Sequence, residues 1–288
     1  MDVPSILSWI LVTASGIAIL VSGLSAIPSR RWWIRVWDFP RFSIVVICFV
    51  LLVLNVWFLP PGNLAIVPLL AAAIAFQLWN IFPYTPLARI EAQRASVTGD
   101  ELDRHGFTIL SVNVLQQNRA YDRVSALIEE LQPDIVLLME TDHRWAVNMK
   151  PVIERFTHSI ELPIHNEYGK IFASNLPIET AHVLNLADPG TPSIHLIMRT
   201  RGGQRFRLGA IHPRPPLPGD DTDARDAELV AAAKLIREAN LPAIVVGDFN
   251  DVGWSHTSRL ARRVGGYVDP RIGRGFFGTF PSYWPAFR

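Results

Sequence analysis

From Phe42 to Ala88 the chain carries no charged side chain at all. A water-soluble domain rarely tolerates so long a neutral run, because charged residues normally punctuate every surface-exposed turn. Three apolar stretches are expected to cross a bilayer: about 5–27 (SILSWILVTASGIAIL onward), 42–59 (FSIVVICFVLLVLNVWFL) and 63–82 (NLAIVPLLAAAIAFQLWNIF). Each is about 20 residues, enough at roughly 1.5 Å per residue to cross the hydrocarbon layer. Pro60-Pro61-Gly62-Asn63 reads as a tight link between the second and third. Trp9, Trp32, Trp33, Trp37, Trp57 and Trp79 cluster near the expected ends, where an indole favours the interface. The first stretch lacks the basic start of a cleaved leader, and two more spans follow it.

Composition divides at the same place. Of 27 basic and 26 acidic residues, only Arg30, Arg31, Arg35, Arg41, Asp2 and Asp38 fall within residues 1–88. The near-neutral remainder argues against a broad nucleic-acid surface. The single cysteine, Cys48, excludes an intramolecular disulfide and a cysteine-rich zinc site. The expected organisation is a transmembrane module over 1–88, a polar linker over 89–105 and a catalytic domain over 106–288. Three spans put the loop RRWWIRVWDFPR on the same side as Arg89 and Arg94, which by positive-inside counting places that domain in the cytoplasm.

Beyond Gly106 the pattern becomes short β-like runs and helices. Strands are expected at 107–114, 135–139, 170–173, 193–199, 206–211 and 243–247, with helices at 123–131 and about 223–239. Pro213 to Asp221 reads as a stiff surface loop. Such an order gives a layered α/β domain. Three apolar strands end in acidic or amide side chains: ILSVNV at Asn113, IVLLME at Glu140, and AIVVGDFN at Asp248 and Asn250. Strand ends present rigid groups at one rim, and hard oxygen ligands suit Mg²⁺ or Mn²⁺. His212 follows the strand FRLGAI. The remaining histidines show no zinc spacing. No phosphate-binding glycine loop followed by lysine occurs, so no nucleotide cofactor is expected, and no GxSxG elbow supports a serine hydrolase.

The succession SVNVLQQN, PDIVLLMET, YGKIFAS, IHPRPP, VVGDFNDVGWS and GTFPS resembles the endonuclease/exonuclease/phosphatase superfamily, over roughly Gly106 to Arg288. The resemblance implies a four-layered α/β sandwich of two packed sheets and a metal-dependent phosphoesterase. It makes Asn113 and Glu140 the first metal-binding pair. Asp248 and Asn250 become the pair that orients the attacking water and holds the phosphate, with Asp248 also near the metal. His212 becomes a contact to the scissile phosphate and Tyr168 a phosphate contact. Ser174 is assigned to the scaffold, and Trp254 and Ser255 to pocket structure.

In the family an Asp-His pair follows a stretch like GTFPSYWPAFR, and it is absent from the sequence up to Arg288. The expectation is therefore a catalytically weak chain or a degenerate scaffold or sensor, because a positioned acid–base group is worth about 10²–10⁴ in rate. Appending an Asp-His segment is expected to raise phosphate-ester hydrolysis with Mg²⁺. Equal rates with and without the segment would sink that expectation.

The substrate stays open between nucleic acid and a membrane-borne phosphate such as a lipid pyrophosphate. Arg119, Arg123, Arg214, Arg262 and Arg263 are the candidate arms for the former. The three-span arrangement resembles a bacterial membrane-anchored group associated with lipid-carrier pyrophosphate hydrolysis and an extracytoplasmic domain, which opposes the charge count. The sequence leaves oligomeric state open.

Overall fold

The computed structural model describes residues 3–58, 65–216, 218–219, 221–238 and 240–279. The Pro60–Asn63 link and most of GTFPSYWPAFR lie outside the described residues.

The N-terminal module is a three-helix bundle of α1 (Val3–Leu24), α3 (Arg41–Phe58) and α4 (Ile66–Ile81). All three are long and apolar enough to cross a membrane, with candidate spans Ile6–Leu24, Arg41–Phe58 and Ile66–Tyr84. They pack through Ala18, Ile44, Cys48, Leu70 and Ala73, while Ile10, Phe49, Trp57 and Trp79 face outward. Small residues at the seam let the helices approach closely. Polar groups inside the bundle pair across it: Asn55 donates to Ser15 Oγ (2.9 Å), and Gln77 donates to Ser22 Oγ (2.9 Å). Between α1 and α3 the chain forms the short helix α2 (Trp32–Arg35) and a 3₁₀ turn, Val36–Asp38. Within the stretch read as linker, Asp100–His105 forms a short helix, α5. Its acidic first turn and basic last turn match the helix dipole.

The rest of the chain is a mixed α/β fold of two four-stranded sheets. Sheet one has the order β1 (Ile109–Asn113), β2 (Ile135–Met139), β4 (Lys170–Ser174), β3 (His158–Leu162). Sheet two runs β5 (Ile178–Leu184), β6 (Ser193–Arg199), β7 (Arg205–Ile211), β8 (Ala243–Gly247). Each sheet contains one parallel pair joined through a helix. In the first, α6 (Tyr121–Leu131) connects β1 to β2; in the second, α8 (Asp223–Glu238) connects β7 to β8. Helices α7 (His143–Ile153) and α9 (His256–Gly265) complete the outer layers.

Strand β2 shows why four layers form. All five of its residues are buried, and they alternate between two cores. Ile135, Leu137 and Met139 join Phe172, Leu196 and Leu208 between the sheets. Val136 and Leu138 join Val124, Ile128, Trp145 and Met149 under α6 and α7. A strand with period-two burial on both faces must be covered on both. On the other side, Leu229, Ala232 and Ala233 of α8 pack with Ile211 and Ala261.

The face of β6 turned toward α8 holds a charge-sensitive group. His195 on β6 is 1% exposed, and burial together with the nearby Arg207 pushes its pKa down to about 4. The unfolded chain therefore holds that proton from about pH 6.5 downward while the folded one does not. Stability is fully present above this window and falls by up to about 3 kcal/mol as pH drops from 6.5 to 4. Urea midpoints across that range should slope less steeply in His195→Gln than in the parent. An unchanged slope would rule out His195 as a source of acid sensitivity.

Candidate active site

The two parallel pairs aim their carboxyl ends at one rim. In the first, Asn113 stands opposite Met139, so Asn113 and the following Glu140 emerge side by side. In the second, Ile211 stands opposite Gly247, so His212 and Asp248 emerge side by side. Strands β1 and β8 lie against each other, which unites the two pairs. The rim is the crevice at strand carboxyl ends where α/β scaffolds commonly place ligands.

Asn113 Nδ2 donates to Glu140 Oε1 at 2.6 Å and to Asp248 Oδ2 at 3.1 Å. Its Oδ1 accepts from the Leu115 amide at 3.0 Å. Glu140 Oε2 accepts from the Gln116 amide at 3.4 Å, and His212 Nε2 lies 4.0 Å from Glu140 Oε1. Tyr168 is buried, with its ring 5.3 Å from that of His212 and the Arg214 guanidinium 5.5 Å above it. Arg214 in turn pairs with Asp188 at 2.6 Å. Five of the six sequence-derived residues therefore face one small volume.

Asn250 is the sixth, and its side chain is engaged elsewhere. Its Nδ2 donates to the Pro213 carbonyl at 2.9 Å, and its backbone amide donates to Asp248 Oδ1 at 3.0 Å. Here Asn250 ties the His212 segment to the Asp248 loop. Glu140 (φ 61°) and Asn250 (φ 48°) both adopt left-handed backbone geometry. For a glutamate this is uncommon, and such outliers concentrate where structure is held for function.

Burial raises the Glu140 carboxyl above its usual range, against hydrogen bonds from Asn113 and Gln116, with Glu167 and Asp248 adding like charge. Burial also pushes His212 down to about 4, helped by the Lys170 charge and opposed by Asp248, so the imidazole is neutral at pH 7. Among the described residues neither Glu140 nor Asp248 pairs with a lysine or arginine. The two facing carboxylates supply oxygen donors of the kind a hard divalent cation takes, while the Asn113 amide between them now presents its nitrogen to both. No group of three or more His, Cys, Asp or Glu converges among the described residues. Any cation here would keep several waters, as Mg²⁺ does and structural zinc does not.

A family model described as the Endonuclease/Exonuclease/phosphatase family matches residues 110–288. The chain belongs to that family. Solved structures with a similar fold include sphingomyelinase C from Streptomyces griseocarneus, at TM-score 0.46 and 14% identity, covering 57% of this chain and 70% of that one. An endonuclease/exonuclease/phosphatase from Bacteroides vulgatus gives TM-score 0.45 at 17% identity, covering 55% and 70%. TDP2 from C. elegans gives 0.43 at 18%, covering 50% of this chain and 48% of its own length, so the chain spans about half of that relative. No curated protein matches.

Membership fixes the fold, in a family named for nucleases and phosphatases. The remaining residues singled out in the sequence play structural parts. Ser174 stands opposite Ile135, at the far end of β4 from the rim, and its hydroxyl closes a turn with Leu176. Ser255 caps α9 by accepting from the Ser258 amide at 3.0 Å. Trp254 Nε1 donates to the Asp38 carbonyl at 2.7 Å. Of the arginines considered as nucleic-acid arms, Arg262 is taken by Glu91 (2.6 Å) and Arg119 by the Gln116 carbonyl (3.2 Å). Sequence reasoning missed Lys170, fully buried at the start of β4, which donates to the Tyr168 and Pro192 carbonyls at 3.0 and 2.6 Å. It also missed Asp251, whose only signal was its place directly after GDFN.

Proposed function

We propose that the protein is a metal-dependent phosphoesterase that works at a membrane surface and cleaves its ester with water. The observation that carries this is the Asn113–Glu140–Asp248 cluster, with a neutral His212 4.0 Å from Glu140. Glu140 and Asp248 would hold Mg²⁺ or Mn²⁺, with Asn113 offering its amide oxygen after rotation. Such a cation offsets phosphate charge and eases ionisation of water. Asp248 accepts a hydrogen bond from the attacking water and aims it. His212, uncharged, donates an imidazole N–H to a phosphate oxygen, a stabilisation strongest where charge builds up. The Tyr168 phenol, kept protonated by burial, stands beside His212 for a second such donation. Asn250 holds the two loops in register.

A membrane-borne phosphate, such as a lipid pyrophosphate, is the substrate class the geometry favours over nucleic acid. The loop after Asp248 hydrogen-bonds through Trp254 to Asp38, three residues before the second candidate span begins. A site anchored there stays at headgroup level. Three of the five arginines that would line a nucleic-acid groove are instead engaged by Glu91, Asp188 and the Gln116 carbonyl.

The full chain in nanodiscs should release phosphate from a lipid pyrophosphate, lose that activity in EDTA and regain it with Mg²⁺. It should leave single- and double-stranded DNA intact. Cleavage of DNA but not lipid would reverse the substrate assignment, and no hydrolysis of any ester with either metal would end the enzymatic reading. A reporter fused after Arg288 tests on which side the domain lies, with an exported domain supporting the lipid substrate.

A further inference from the structure

The catalytic loop does not end at Asn250. Asp251 follows it, and its side chain is wholly buried. Asp251 Oδ1 accepts from the Val252 amide at 2.9 Å, and Oδ2 accepts from the Ser255 hydroxyl and from the Ser258 hydroxyl at 3.1 Å. Two guanidinium groups pair with it, one at each oxygen. Arg225 of α8 lies 3.9 Å away and donates to the Asn250 carbonyl at 3.1 Å. The other is Arg35, in the loop between the first two candidate spans, with Nη2 at 3.5 Å from Asp251 Oδ2.

Arg35 is 3% exposed, and its Nη1 donates to Asp38 Oδ2 at 2.5 Å. Asp38 Oδ1 accepts from Arg41 at 2.6 Å, and its carbonyl accepts from Trp254. A buried guanidinium is tolerated only where counter-charges surround it, and removing one of them leaves an uncompensated charge. Among the described residues Arg35 Nε and Nη2 have no hydrogen-bond partner, and Asp251 is the counter-charge that faces the second arm. The same loop docks further along: Thr222 donates its amide to the Arg30 carbonyl at 2.8 Å, and Arg30 pairs with Asp223 at 2.8 Å.

We propose that Arg35 is a positioning residue for the catalytic loop Asp248–Asp251, so that the helical module holds the site in its working geometry as well as anchoring it. The chain of contacts is continuous. Arg35 fixes Asp251, Asp251 and Arg225 fix the backbone at Asn250, and the Asn250 amide fixes Asp248 Oδ1. The proposal rests on the phosphoesterase reading for its consequence in catalysis, but the mechanical coupling stands apart from it.

The test uses the full chain in nanodiscs with Arg35→Met, Arg35→Lys and Trp254→Phe. Amide hydrogen exchange is read in peptides covering 247–256, with β2 as internal control. Arg35→Met should speed exchange in the catalytic loop by about tenfold or more while β2 stays protected, because only a local opening is made cheaper. Arg35→Lys should recover part of that protection, since it restores the charge without the fork. With a hydrolysable ester and Mg²⁺, Arg35→Met should lower kcat by about tenfold and leave KM within about threefold, the pattern of a group felt mainly in the transition state. Unchanged loop exchange, or loosening spread equally through β2, overturns the proposal. If Arg35→Met fails to fold, Trp254→Phe decides: about threefold faster loop exchange supports the coupling, and parental exchange overturns it. If the parent hydrolyses no ester, the functional reading fails while the exchange data still decide the coupling.

Discussion

Asp248→Asn is expected to lower kcat/KM for ester hydrolysis by about 10³ or more, about 4 kcal/mol of transition-state stabilisation. The substitution preserves volume, and the amide oxygen can still accept from the Asn250 amide as Oδ1 does now at 3.0 Å. What it removes is one of the two negative charges facing Asn113. Cation affinity should therefore fall with activity, and a Mn²⁺ titration should show a weaker site. Glu140→Gln removes the other charge, at a carboxyl whose burial already raises its pKa. The larger loss is expected at Asp248, to which the proposed mechanism also gives the aiming of the water. Circular dichroism should match the parent in both variants. A drop of less than about tenfold in Asp248→Asn, with the fold intact, would remove Asp248 from the chemistry.

How far the residues themselves announced this arrangement differs between its parts. The helical module was legible because helices long and apolar enough to cross a membrane need long neutral runs, and the candidate spans begin or end within a few residues of the expected ones. Strands β2 and β4 were legible because both their faces are covered, and β1 and β6 to β8 because each is rich in apolar residues. Strands β3 (HSIEL) and β5 (IETAHVL) escaped notice. They are edge strands: β3 alternates over only five residues, and β5 is exposed on both faces along its middle. Helix α7 carries Pro151 and a weakly patterned start, yet it places Trp145 and Met149 in the core. At the site, Asn113, Glu140, Asp248 and His212 could be found because each directly follows or ends an apolar strand. Their convergence depended on two parallel registers that no local pattern encodes. Arg35 was invisible for a stronger reason. It counted as one of four loop arginines bearing on orientation, and only tertiary packing shows it buried against Asp251.

The same dependence on register makes Gly247 the position where the smallest change should do the most harm. It has φ 144°, and a Cβ there would stand 1.9 Å from the Ile211 carbonyl oxygen. No side-chain rotation relieves a clash with backbone, so β8 must move away from β7 or the peptide must turn. Gly247→Ala is expected to cost about 3 kcal/mol or more, combining a backbone region nearly closed to other residues with a broken approach. The damage falls at one place, because Ile211 and Gly247 are partners in the last rung before His212 and Asp248 diverge. A displaced rung would separate the imidazole from the carboxylate that must work beside it. Activity should therefore disappear at temperatures where the variant is still folded, and the denaturation midpoint should fall as well. A midpoint within about 0.5 kcal/mol of the parent, with activity retained, would show that β8 can relax at no cost and that the β7–β8 register is not what sets the spacing of the site.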